Sequence, residues 1–291
     1  MRLELAGSVL RPPPLTVKLL DGVDFIPQQY IDMGYSGFEV LVIGAGGGTG
    51  GGIKTGNTGT QIRSYGGAGG GGGLHNVRGL LSALPASCPV VVGVGGDPGL
   101  DHVSDPALTT DGEDGGASSF NGDTARASGG QGGHRVQTNS VTVTSQANGG
   151  AGGIGDRILA GGGAAGGVAG TPTATGPGTP GTAGADGTWD GVVGEGGGGG
   201  SGGVGTYLGV TANAATAGGR GSFDAGDTSV YGLGTSPSSD TTDSGAANIV
   251  PGGAGGARAT PLTSLPIQYG ESYGVRLKGN DGYVAIRLTA E

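Results

Sequence analysis

The chain has 291 residues, 75 of them glycine, a net charge of −9 and a single cysteine, Cys88. The acidic balance disfavours a nucleic-acid or anionic-membrane partner, and one cysteine excludes an intrachain disulfide framework. Glycine far above its usual share of roughly 7% points first to a disordered linker, but hydrophobic residues at 34% and charged residues at only 13% argue for an ordered fold.

In chain order, Arg2 to Leu10 alternates loosely as a strand would, and Pro12, Pro13 and Pro14 stop it. Glu4 and these prolines break the apolar run, so no signal peptide is read here, and no apolar run is long enough to span a bilayer. Leu15 to Leu20 offers a second short strand, and a turn of helix is expected around Pro27 to Met33. Residues 1–36 are read as an N-terminal attachment segment and 37–291 as a glycine-rich domain.

Phe38 to Ile43 is the best strand in the chain and runs straight into Gly44, Ala45 and Gly46. Pro89 to Val94 repeats that arrangement, and Val136 to Thr144 alternates β-branched with polar residues. At the end, Gly274 to Leu277 and Tyr283 to Leu288 flank Lys278-Gly279-Asn280-Asp281-Gly282, which reads as the turn of a C-terminal β-hairpin. Thr171 to Gly187 is briefly collagen-like but too short for a triple helix.

Between these strands lie the glycine tracts. From Glu195 to Gly205 the non-glycine residues Glu195, Ser201 and Val204 all fall in one register of a three-residue period. Gly66 to Leu74, Gly129 to His134, Gly149 to Ile154, Gly218 to Arg220 and Gly252 to Ala257 keep the same phasing, while Gly46 to Gly52 and Gly161 to Gly170 keep it less cleanly. Three residues per turn is the period of the extended polyproline II helix, which has no internal hydrogen bonds. A Gly-Gly-X rod has two bare edges that neighbours approach closely and one decorated edge. In the Glu195–Gly205 tract the bare edges are Gly196, Gly197, Gly199, Gly200, Gly202 and Gly203. The expected fold is mainly β and irregular: a short-strand β base, built from the opening strand and the C-terminal hairpin, carrying an array of packed polyglycine II helices.

Motifs for chemistry are weak. Val42-Ile43-Gly44-Ala45-Gly46 resembles the start of a dinucleotide fold, but the glycines that follow leave no helix to hold a pyrophosphate. Gly199-Gly200-Ser201-Gly202-Gly203 lacks the strand and helix a hydrolase elbow needs. His75, His102 and His134 stand singly, and Gly152 to Asp156 is an incomplete calcium repeat. No enzyme activity, cofactor or metal is expected. Trp189, Tyr207, Phe223 and Tyr231 lie between tracts, where loops joining rods belong; they are read either as plugs capping the array or as surface-contact residues.

Three stretches carry a family likeness: Gly34-Tyr35-Ser36-Gly37-Phe38-Glu39-Val40-Leu41-Val42-Ile43-Gly44; Gly115 to Phe120 followed by Ser128 to Gly133; and Gly279 to Ile286. With these residues the chain resembles the glycine-rich minor tail proteins of siphophages that infect actinobacteria, from about residue 34 to the end. The resemblance implies a virion component at the tail tip, assembled in the host cytoplasm beside other tail-tip proteins and contacting a glycan or protein of the host envelope. In its glycine rods it also resembles the distal adhesins of some long-tailed phages. A homo-oligomer, a trimer first, is expected because glycine rods bury little apolar surface. The alternative class is a secreted or cell-wall glycine-rich repeat protein of an actinobacterium; such proteins carry a helical leader that residues 1–36 do not provide.

Overall fold

A computed structural model describes residues 11–55, 62–64, 69–100, 109–135, 158–159, 188–189, 192–193, 206–207 and 278–290. Within them the chain is mainly strand and extended backbone, with one short α-helix, so the β and irregular class holds. The strands Arg2–Leu10 and Val136–Thr144, the collagen-like stretch, the hairpin arm Gly274–Leu277 and the tract Glu195–Gly205 lie outside the described residues.

The main sheet joins β1 (Leu15–Leu19), β2 (Gly37–Ile43), β5 (Leu74–Leu80) and β13 (Tyr283–Thr289) in the order β1-β13-β2-β5, all antiparallel. Alternation aims one set of side chains inward. Leu19, Val284 and Val42 form one row, Val17, Ile286 and Val40 the next, and Leu15, Leu288 and Phe38 the third. Gly79 completes the third row, where it leaves room for the Phe38 ring. Residues 15–19 of the N-terminal segment therefore form a sheet edge, and Phe25 and Tyr35 join the core.

A second layer covers this face: β6 (Val90–Val91), β7 (Ser118–Phe120) and β8 (Ala125–Ala127), in that order and antiparallel. Phe120 and Val90 face the first layer, and the Phe120 ring centroid lies 5.8 Å from Phe25 and 6.4 Å from Phe38. Each such apolar side chain contributes about 1.5–3 kcal/mol on burial, which is what a chain so rich in glycine needs from its few large residues. The connection between β7 and β8 turns at Asn121, whose φ of 51° suits asparagine. The strand expected over Pro89–Val94 is shorter: only Val90–Val91 pairs, in the second layer, and the chain then leaves the sheet.

The short helix α1 (Pro27–Ile31) lies where the sequence places a helical turn. Proline at its first turn suits it, and Gly34 (φ +93°) ends it with an N–H bonded to the Ile31 carbonyl at 2.9 Å. Two further small antiparallel sheets complete the described residues. One is formed by β3 (Ile53–Thr55), β4 (Ile62–Ser64) and β12 (Thr206–Tyr207), the other by β9 (Ile158–Leu159), β10 (Thr188–Trp189) and β11 (Val192–Val193).

Candidate functional site: the glycine bundle above the sandwich

The two layers do not end where their strands end. Residues 44–52 continue β2, 93–100 continue β6 and 128–135 continue β8; residues 69–73 lead into β5, 110–117 into β7 and 278–282 into β13. All six extensions are extended backbone, and they bond to one another instead of coiling.

Residues 44–52 run through the middle and are buried throughout. Their N–H groups donate in rotation to three neighbours. Gly44 and Gly47 bond to the Gly73 and Gly70 carbonyls. Ala45, Gly48 and Gly51 bond to Gly116, Glu113 and Thr110, and Gly46 bonds to Asn280, all at 2.9–3.0 Å. Partner numbers fall by three as donor numbers rise by three, so these neighbours run antiparallel. The carbonyls follow the same rule with opposite sense: Ala45 and Gly48 accept from Gly130 and Gly133, and Gly46 and Thr49 from Gly96 and Gly99. A β-strand sends alternate N–H groups to two sides in one plane; a period of three sends them around the axis.

The outer segments also bond to each other. Gly279 and Gly282 donate to Gly96 and Gly93; Glu113 and Gly116 to Asp97 and Val94; Gly112 and Gly115 to Gly133 and Gly130; Gly70 and Gly73 to Gln131 and Ser128. That fixes their order around the centre as 278–282, 93–100, 110–116, 128–133, 69–73. Lys278 to Gly282 was read as a hairpin turn, and this is corrected: the residues are extended, because Gly279 backs onto the Gly46 carbonyl too closely for any side chain while Asp281 reaches outward to the Gly95 N–H.

The rest of the surface is less organised. On the outer face of the main sheet Glu39 sits between Arg78 (2.8 Å) and Arg287 (3.9 Å), beside an open hollow of about 450 Å³ at Gly37. The Cys88 thiol is buried, and burial, then the nearby Asp24 charge, pushes its pKa from an ordinary 9.0 up to about 11. Burial also raises the pKa of Tyr283. His75 accepts the Arg126 N–H at Nδ1 (3.0 Å), and His134 lies 3.7 Å from Asp111; His102 is outside the described residues. Among the described residues no group of three or more His, Cys, Asp or Glu is placed to hold a metal, and no helix is long and apolar enough to cross a membrane.

The contact residues expected from sequence are only partly placed. Trp189 pairs with Val192 and Ile158 in β10, and Tyr207 pairs with Ile62 in β12, so their backbones belong to two separate sheets. Phe223, Tyr231 and the edge glycines Gly196, Gly197, Gly199, Gly200, Gly202 and Gly203 lie outside the described residues. Sequence reasoning missed 93–100 and 110–116 as bundle members. Their signal is a glycine at every third residue, Gly93, Gly96 and Gly99 in one segment and Gly112 and Gly115 in the other, with Gly95 and Gly116 in a second register.

Compared with known families, the sequence matches the glycine-rich domain family over residues 27–289. The chain belongs to that family. No curated protein matches it.

Proposed function

We propose that the chain is a structural protein of a phage virion, a minor tail protein at the tail tip that meets the host cell surface, and that its extended segments are polyglycine II helices. The observation that supports this most is where the tail-protein likeness falls. Its three stretches contain β2, β7 with Ser128–Gly133, and Tyr283–Ile286 of β13, and these pack together: β2 pairs with β13, and Gly130 and Gly133 bond to Ala45 and Gly48. The likeness thus tracks the sandwich and the bundle it carries, not scattered glycine.

In this reading the sandwich is the base and the bundle a stiff spacer, since each segment is held from several sides. The chain assembles as a homo-oligomer, a trimer first, through the N-terminal segment and the base. Trp189, Tyr207, Phe223 and Tyr231 serve as the contact to a host glycan or protein. The role is binding and support, with no reaction catalysed.

Mass spectrometry of purified particles tests the virion assignment: the chain should copurify at fixed stoichiometry with other tail proteins, and its absence from the particles contradicts the reading. Replacing the four aromatics with alanine should leave assembly intact and weaken adsorption. Normal adsorption would remove the contact role and leave the structural one.

A further inference from the structure

We infer that Asp111, Asp114 and Asp281 close the rim of the glycine bundle, and that the rim beneath them fits one partner, a glycine segment from a second copy of this chain. The inference rests on the rod reading above for its partner, though the hydrogen bonds stand without it.

Among the described residues, a segment at the rim has neighbours on only part of its circumference. In 128–135 the register of Gly130 and Gly133 donates inward to the Ala45 and Gly48 carbonyls. The register of Gly132 and Arg135 donates instead to carboxylates: Gly132 to Asp114 Oδ1 at 2.8 Å and Arg135 to Asp111 Oδ1 at 2.7 Å. In 93–100, Gly96 and Gly99 donate inward to Gly46 and Thr49, while Gly95 donates to Asp281 Oδ1 at 2.9 Å. Asp111 and Asp114 are three apart, as are the two N–H groups they hold. The carboxylates repeat at the spacing of the carbonyls of an added glycine segment.

Hydrogen-bonding groups left open along an edge are a template for another chain, and proteins blunt such edges with charge. Here each exposed carboxylate satisfies an N–H that the carbonyl of an added segment would otherwise take. The chain's own Gly-Gly-X triplets supply a segment of matching period, which is why a second copy is the fitting partner. Association is thereby steered away from the rods.

The test compares Asp111→Ala/Asp114→Ala with Asp111→Asn/Asp114→Asn in the full chain, reading amide exchange by NMR and mass by light scattering. Truncation to alanine should speed exchange at Gly132 and Arg135 by about tenfold, the factor expected for a hydrogen bond of this strength, and raise the mass in solution. Asparagine keeps the acceptor, so it should keep slow exchange and the original mass. Unchanged exchange in the alanine variant overturns the capping role; faster exchange without growth in mass overturns the docking role; growth in both variants alike makes charge alone responsible and overturns the inference. Should the double variant not fold, Asp281→Ala read at Gly95 repeats the test on another segment. Rapid exchange at Gly47 and Gly48 in the unaltered chain would instead count against the rod reading itself.

Discussion

At the scale of single residues, the bundle is a set of steric constraints with a definite period. A Cβ built on Gly130 would meet the Gly70 carbonyl oxygen, and one built on Gly132 the Gly112 carbonyl oxygen, both well inside 3.0 Å. Gln131 between them is exposed. Gly132→Ala should therefore cost about 1–3 kcal/mol through overpacking, while Gln131→Ala should stay within about 0.5 kcal/mol, as read by thermal or urea unfolding. Equal effects would refute the assignment of edges. This register was legible in the sequence, because a rim segment keeps one decorated edge. The central segment was not: surrounded by neighbours, 44–52 needs small residues in every register, so its phasing disappears and Ala45 and Thr49 look like interruptions. A different residue-scale prediction concerns Cys88. Its folded pKa is raised, so the unfolded chain loses its proton first; stability should be full below about pH 9 and fall as pH rises through about 11. Comparing pH–stability curves of the native chain and Cys88→Ala checks this: the alanine variant should lack that part of the decline.

At the scale of elements, each strand of the sandwich either becomes a bundle segment or grows out of one, β1 excepted among the two layers. The antiparallel neighbours of β2 explain why 69–73 and 278–282 run opposite to 44–52. Strand order thus sets the direction of each segment before any glycine contact forms. The strands with large β-branched runs, β2 and β13, were legible for that reason. β5, β7 and β8 were not, since Leu74–Leu80 interrupts its apolar pattern with His75, Asn76 and Gly79, and the other two strands are short and rich in serine and alanine. Their pairing is decided by position beside β2 and Phe120, which local sequence does not encode. β13 and β2 should be the most sensitive elements because each is held on both sides, and in β13 Ile286 faces Val17 and Val40 and is fully buried. Ile286→Ala should cost about 2–5 kcal/mol in equilibrium unfolding. A cost below about 1 kcal/mol would mean that the sandwich does not support the fold as described.

At the scale of the whole molecule, the sandwich supplies apolar burial and the bundle supplies backbone hydrogen bonds. The large buried side chains sit in the two layers, while the segments above them are held by backbone hydrogen bonds, each worth only about 0.5–1.5 kcal/mol net. Stability should therefore depend on the base, and light scattering of the purified chain should give the mass of a trimer. The central claim is that the glycine segments bond around an axis with a period of three. NMR couplings across hydrogen bonds measure that directly, since each links a donor nitrogen to the carbonyl carbon that accepts from it. The account predicts couplings from Ala45 to Gly116, Gly46 to Asn280, Gly47 to Gly70 and Gly48 to Glu113, rotating through three segments. Couplings that alternate between only two neighbours, as in a sheet, would contradict it.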